Sequence, residues 1–491
     1  MKYLLGIDFG GGASKATLLS EEGKIIAENT VEYPTYYDAE GMAEQAPEDW
    51  LRALAENTHA ILAKSGISQT EIAALAIDSA THTSLVTDEE MHPLRRAMHW
   101  TDSRSRAESK KLLAEYGEDI FEKTYHKPDT IWTLPQLLWL KNHEPECFAK
   151  IRHVFFEKDY IRYFLTGVYA TDAIEAEGSM LFDCRTRTWD THLCALAGIT
   201  PDMLPPVGAP TDSVGCVLPE AAEKTGLAAG TPVIMGTTDT VMEVFASGAV
   251  KAGDMTVKLA TAGRICVITD RPYPDRHMIN YSHIVPGLFY PGTATKSAAA
   301  SYRWYRDTFG GDYAALDAGA ENIPIGAEGL LFHPYLSGEL TPYASPALSG
   351  SFTGMRATHT KAHFTRAVLE GVCYSLLDCK RYLDTLGIQK GARATLIGGG
   401  AKGALWAQMT ADVLGITLVR TQSSDSSLGS AMLAGIAVGV FRDAEDAVSR
   451  SIKIKDEFLP DPARTQAYAR IFTRYKRIAD ALLPIYSEEL V

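Results

Sequence analysis

Three glycine-bearing turns and two placed aspartates are the residues of this chain whose types and spacing could do chemistry. Asp8 closes the apolar run YLLGIDF and opens Gly10-Gly11-Gly12. Glycines at such a turn let backbone N–H groups approach an anion closely, and a carboxylate at the strand end can orient Mg²⁺ through water. A plain hairpin turn needing positive φ is the competing account. Leu259-Ala260-Thr261-Ala262-Gly263 forms a second such turn, with a hydroxyl at Thr261. An ordinary hairpin is the simpler reading of it in isolation. Gly398-Gly399-Gly400-Ala401 lies between a strand and a helix, where it could receive the flat face of an adenine or carry a close helix–strand contact. Asp239, in Gly236-Thr237-Thr238-Asp239-Thr240, follows the apolar PVIMG and precedes VMEVFASG. A carboxylate there sits at the carboxyl end of a strand, where α/β sites assemble, or it is an N-cap. The sequence shows no metal cluster and no catalytic triad.

The elements that must hold these residues follow from pattern. Residues 3–9, 15–20 and 24–31 read as three short strands, with Gly23 in the second turn. A similar strand–turn–strand unit recurs at 254–269, about half the chain later, which suggests a duplicated domain. Helices are expected at 47–65, with Pro47 in the first turn, and at 362–386, 403–414 and 463–484. Residues 71–78 fit helix or strand by pattern, and a strand is expected at 73–78 from the α/β layout; 395–400 reads as a strand entering a glycine turn. The small-residue stretch 246–253 is the expected boundary, giving domains 1–248 and 249–491.

At 491 residues the chain exceeds what one core usually supports, so two domains are expected. A net charge of −14 argues against a nucleic-acid surface. It does not argue against a triphosphate held by backbone amides and a divalent cation. Met1–Leu5 starts like a signal peptide but meets Gly6 and Asp8 too soon, and no apolar run is long enough to cross a bilayer. Seven scattered cysteines without a CxxC pair point to a reducing, cytoplasmic setting.

Taken together, these stretches resemble the FGGY carbohydrate kinases, and among them the xylulose kinases, over roughly residues 3–450. The resemblance rests on Asp8 with its turn, MHWTDSR (98–104), LPQLLWLKNHEPE (134–146), KDYIRYFLTG (158–167), PYLSGELTP (334–342), RAVLEGVCYSL (366–376) and LIGGGA (396–401) with Trp406, Gln408 and Asp412. It implies two similar actin-like, ribonuclease H-like α/β domains around a central nucleotide and sugar cleft. It implies Asp239 as the base that takes the sugar hydroxyl's proton, and Asp8 with Asp239 near Mg²⁺. It assigns ATP to Gly10, Gly11, Gly12, Lys15, Thr261, Gly263, Gly399, Gly400 and Ala401. It assigns the sugar to Thr81, His82, Trp100, Asp102 and Asp239. His82 has the alternative of a satisfied histidine at a strand end, and Trp100 that of a core residue. A homodimer is the family expectation; nucleic-acid and membrane partners are not.

The chain departs from the family pattern in several places. Gly11 and Gly12 stand where the family usually carries Thr and Ser, and 79–83 keeps only His82 of the xylulose kinase run Gly-Gln-Met-His-Gly. Thr101 replaces Asn, Ala260 and Ala262 replace Gly and Ser, Leu340 replaces Arg, and Gln136 replaces Lys. The changes at 79–83 and 101 fall where the sugar should sit. The function expected is phosphorylation of D-xylulose to D-xylulose 5-phosphate. The alternatives are a kinase for ribulose, gluconate, glycerol or erythritol, an actin- or chaperone-like ATPase, and a non-catalytic sugar-binding regulator.

Overall fold

The computed structural model describes residues 2–38 and 40–488. Near the N-terminus, β1 (Tyr3–Phe9) buries Leu4, Leu5, Ile7 and Phe9 completely. It runs antiparallel to β2 (Ala13–Ser20), which pairs with β3 (Ile25–Glu32) across a turn whose Gly23 has φ +82°. Helix α1 (Pro47–Ser65) starts on Pro47 and stops at Gly66, whose left-handed conformation ends the helical run. Its face of Trp50, Ala53, Leu54 and Ile61 joins the core under this sheet. The chain returns as β4 (Ile72–Ser79), parallel to β1 and in register Gly6–Ala76, Ile7–Ile77, Asp8–Asp78. Strands β5 (Ser213–Cys216) and β6 (Pro232–Ile234) complete the order β5-β6-β4-β1-β2-β3. Helices α2 (Glu157–Thr166) and α3 (Asp239–Ala246) belong to the same unit.

The second sheet repeats this plan. β7 (Met255–Leu259), β8 (Gly263–Val267) and β9 (Gly292–Thr295) form an antiparallel triple. β10 (Arg393–Ile397) lies parallel to β7, β11 (Thr417–Thr421) lies parallel to β10, and β12 (Ile454–Phe458) closes the edge antiparallel. The order β9-β8-β7-β10-β11-β12 matches the first sheet in the pattern of parallel and antiparallel pairs, although its edge strand β12 follows β11 in the chain where β5 precedes β6. This is the duplicated ribonuclease H-like layout expected. Helices α4 (Lys361–Thr385) and α5 (Ala404–Leu414) build the second core.

The compact units are not a single linear cut. The first takes residues up to Val250 together with Tyr281–Pro286 and Ser423–Ile452; the second takes Lys251–Asn280, Gly287–Gln422 and the chain from Lys453. A partition into 1–248 and 249–491 therefore assigns two segments to the other side. The cause is visible at helix α6 (Ser426–Ala437), which packs on β1 so closely that a Cβ at Gly6 would lie 1.9 Å from the Ser427 carbonyl oxygen. The terminal helix α7 (Pro462–Ser487) stays with the second unit and buries Tyr468, Phe472 and Tyr475 there. No helix among the described residues is long and apolar enough to cross a membrane.

Candidate active site

The parallel register of β1 and β4 sets Asp8 beside Asp78. Two carboxyls brought together with little water cannot both ionise cheaply. Burial, and then the charge of Asp8, hold the pKa of the fully buried Asp78 far above the carboxylate range. Burial pushes Asp8 up to about 7, and the charges of Asp239 and Asp425 add to the rise. Ser430 on α6 donates to the Asp78 Oδ2. Sequence reasoning missed Asp78, although Ala76-Ile77-Asp78 repeats Gly6-Ile7-Asp8 one strand away. It also missed Asp425, the N-cap of α6, because that residue arrives some four hundred positions later.

The turn after Asp8 does not use its glycines for positive φ: none of Gly10, Gly11 and Gly12 adopts it. The plain-hairpin account therefore lacks its physical motive. A Cβ at Gly12 would meet nothing within 4 Å. All three glycine carbonyls are taken: Tyr33 Oη donates to Gly10 at 2.5 Å, Thr35 Oγ1 to Gly11 at 2.5 Å, and the Tyr33 N–H to Gly12 at 3.1 Å. The Gly10 N–H is spent on the Ala13 carbonyl at 3.0 Å, which leaves the amides of Gly11 and Gly12 for an anion. Lys15, on β2, is held at 3.0 Å by both Glu28 and Asp425.

Asp239 opens α3 directly after the β6 turn, and its Oδ1 accepts from Thr81 Oγ1 at 3.2 Å and Thr240 Oγ1 at 3.1 Å. Thr81 and His82 follow β4, so the parallel pair β4–β6 delivers both to one end of the sheet. His82 takes φ +71°. Its ring is boxed in: Nε2 lies 2.7 Å from Tyr281 Oη, the Trp132 ring lies tilted against it at 4.6 Å, and a Cβ at Gly178 would fall 2.0 Å from Cε1. Burial, with His126 nearby, holds its pKa well below the ordinary value, so the imidazole is neutral at pH 7. Trp100 is 43% exposed, which excludes the core reading. Asp102 is fully buried and committed to the fold: it accepts from the Ala43 N–H at 2.8 Å and pairs with Arg104 at 2.8 Å. Its expected place on the sugar wall does not fit that geometry.

In the second unit, Thr261 is exposed at the β7–β8 turn, and its carbonyl accepts the N–H groups of Ala298 and Ala300 at the start of the helix Ala299–Phe309. Gly263 is a packing glycine, since a Cβ there would lie 2.8 Å from the Thr295 methyl. In the turn after β10, Gly399 alone faces open space; Gly400 would meet Leu259 and Trp406 at 2.9 Å, and Ala401 is buried. Trp406, Gln408 and Asp412 are structural: Trp406 donates to the Leu369 carbonyl, and Gln408 to Asp412 and the Leu459 carbonyl.

Residues 3–246 match the N-terminal domain, and residues 233–438 the C-terminal domain, of the FGGY family of carbohydrate kinases. A xylulose kinase from Bacillus subtilis (strain 168) is 33% identical over 97% of each chain. This chain belongs to the FGGY family of carbohydrate kinases. It is an ATP-dependent sugar kinase. A gluconokinase from Bacillus licheniformis is 30% identical to the kinase over 99% of this chain and 97% of its own. The ligand-bound xylulose kinase from Lactobacillus acidophilus superposes with a TM-score of 0.93 at 26% identity, over 99% of both chains.

Proposed function

We propose that the kinase transfers the γ-phosphoryl group of ATP to a hydroxyl of D-xylulose, giving D-xylulose 5-phosphate, with Asp239 as general base. The observation that carries this reading is the setting of Asp239: a carboxylate at the carboxyl end of parallel strands, oriented by the hydroxyls of Thr81 and Thr240, beside His82. Phosphoryl transfer asks chiefly for positioning and charge neutralisation. Asp239 orients the attacking hydroxyl and takes its proton, a contribution of about 10²–10⁴ in rate. Gly11 and Gly12 offer backbone donors to phosphate, Thr261 a hydroxyl, and Gly399 an open shelf for the base of the nucleotide. Seven cysteines outside any disulfide fit a reducing cytoplasm.

Mg²⁺ suits the acidic residues of the first unit. Asp8 and Asp78 each carry an Oδ1 shut off from solvent with no donor from elsewhere in the protein, and Asp239 and Asp425 add negative charge. Such a surplus of hard oxygen ligands matches a small divalent cation that keeps some of its water. Asp8 and Asp239 would hold it, directly or through that water, and bound there it supplies neutralisation of phosphate charge.

Gluconate is the second reading, favoured by the gluconokinase relative. An aldonate brings a carboxylate that needs a donor or cation, whereas His82 is neutral and lies against a phenol and an indole. That favours the uncharged ketose. ADP release with Mg·ATP over a panel of ketoses, aldonates and polyols, with Asp239→Asn alongside, tests both. Strong stimulation by D-xylulose, lost by at least about 100-fold in the variant, is expected. Stimulation by gluconate alone would overturn the substrate, and a variant with near-normal turnover would overturn the base.

A further inference from the structure

Behind His82 and Asp239 lies a charged cluster that the reaction above leaves unused. Lys158, Asp159, Arg162 and Asp172 are each 0% exposed. Lys158 Nζ reaches Asp159 Oδ1 at 2.6 Å and Asp172 Oδ2 at 2.8 Å, and Arg162 Nη1 reaches Asp159 Oδ1 at 3.0 Å. Glu175 stands 3.9 Å from Lys158, and burial raises it to about 8, so two cations face two anions and one neutral acid at pH 7. A balanced set of this kind adds little net stability over an apolar core, yet each partner is costly to remove.

The outward bonds of the cluster show which geometry. Asp172 Oδ1 accepts from Thr237 Oγ1 at 2.7 Å, two residues before Asp239, while also capping the helix Ala173–Glu177. Arg162 Nη1 donates to the Met235 carbonyl at 2.6 Å, at the head of the same turn. The Lys158 N–H donates to Ser79 Oγ at 3.1 Å, and Glu175 Oε1 accepts the His82 N–H at 3.1 Å. The turn itself is tight: Gly236 has φ +71°, and a Cβ there would lie 1.9 Å from the Ile77 carbonyl oxygen. One buried cluster thus grips both the 235–239 turn and the 79–82 turn.

We propose that Asp172, anchored by Lys158, is a positioning residue that fixes the Asp239 turn through Thr237 and registers it against the His82 turn. This rests on the reading of Asp239 as the base. Asp172 and Lys158 are too deeply buried for their variants to separate positioning from folding, so Thr237 is the lever. Thr237→Val removes the hydroxyl and keeps the shape; Thr237→Ser keeps the hydroxyl. Since misplacing a reacting group by about 1 Å can cost up to 100-fold, Thr237→Val should lower kcat about tenfold with the KM for ATP unchanged. Thr237→Ser should stay within about twofold of the parent. Amide hydrogen exchange over 236–240, which needs no substrate, should quicken in the Val variant only. Unchanged exchange in Thr237→Val, or a Ser variant as slow as the Val variant, would overturn the positioning. An inactive Asp239→Asn beside a normal Thr237→Val sinks the positioning alone. A fully active Asp239→Asn removes the base reading and the positioning with it.

Discussion

His82 combines two costs that ordinary packing does not demand. A non-glycine residue at φ +71° gives up about 1–2 kcal/mol. A buried imidazole must also hold its proton on one chosen nitrogen. Tyr281, on the short segment that rejoins the first unit, places its hydroxyl 2.7 Å from Nε2, where it partners that nitrogen as donor or acceptor. Tyr281→Phe keeps the ring and removes the bond, which is worth about 0.5–1.5 kcal/mol. The KM for the sugar should rise roughly two- to tenfold while the KM for ATP stays put. Steady-state kinetics with each substrate varied in turn would show this. An equal rise in both constants would mean the bond supports the unit as a whole rather than His82.

Arg420 does for the 399–402 turn what the charged cluster does for Asp239. It stands on β11 and donates from Nη1 to the carbonyls of Ala401 and Lys402 at 2.7 and 2.8 Å. Asp456 on the antiparallel neighbour β12 holds its other edge at 2.7 Å, and the guanidinium lies over Phe458. Bonds of a charged donor to carbonyls are worth about 1.5–3 kcal/mol. Arg420→Ala should therefore loosen the turn and raise the KM for ATP about tenfold with the sugar KM unchanged. Arg420→Lys, lacking the fork, should recover only part of that loss. Nucleotide titration followed by calorimetry would read the effect directly, and unaltered ATP affinity would exclude the turn from nucleotide binding. The strand–turn–strand units and the helices at 47–65 and 362–386 were legible in the sequence because period and breakers coincide there. Asp8 and Asp239 stood out as candidates in the sequence because Asp8 closes an apolar run and Asp239 lies between two. Asp172, Arg420 and Asp78 did not, since their roles depend on which strands become neighbours. Asp102, assigned to the sugar by the resemblance, is instead drawn inside by Arg104, a partner that only the folded chain reveals.

The molecule as a whole stores an unusual number of titrating groups in its interior, and they act in opposed pH windows. Burial depresses His99 and His333 to about 4, His283 to about 3, and His82 well below the usual value. The unfolded chain binds their protons first, so they add stability as pH rises to about 6.5. Buried carboxyls do the reverse. Asp8 and Glu339 are raised to about 7, Glu175 to about 8, and Asp78 and Glu157 well above the ordinary range. The folded state holds these protons after the unfolded chain has lost them, so each removes stability as pH climbs from about 4 through its folded value. Below about 6.5 the two sets oppose one another; above it the histidines of both states are largely neutral and only the carboxyls still act. Stability should then fall with a slope of up to about 1.4 kcal/mol per pH unit for each proton retained. The melting temperature should accordingly drop between pH 6.5 and 8.5 in the absence of metal and nucleotide. Glu175→Gln, which keeps the shape and cannot ionise, should show a shallower drop over the same range. Scanning calorimetry at pH 6.5, 7.5 and 8.5 on both proteins measures it. A flat parent curve would mean these carboxyls lose their protons without penalty, and parallel curves would mean Glu175 is not among those that keep one.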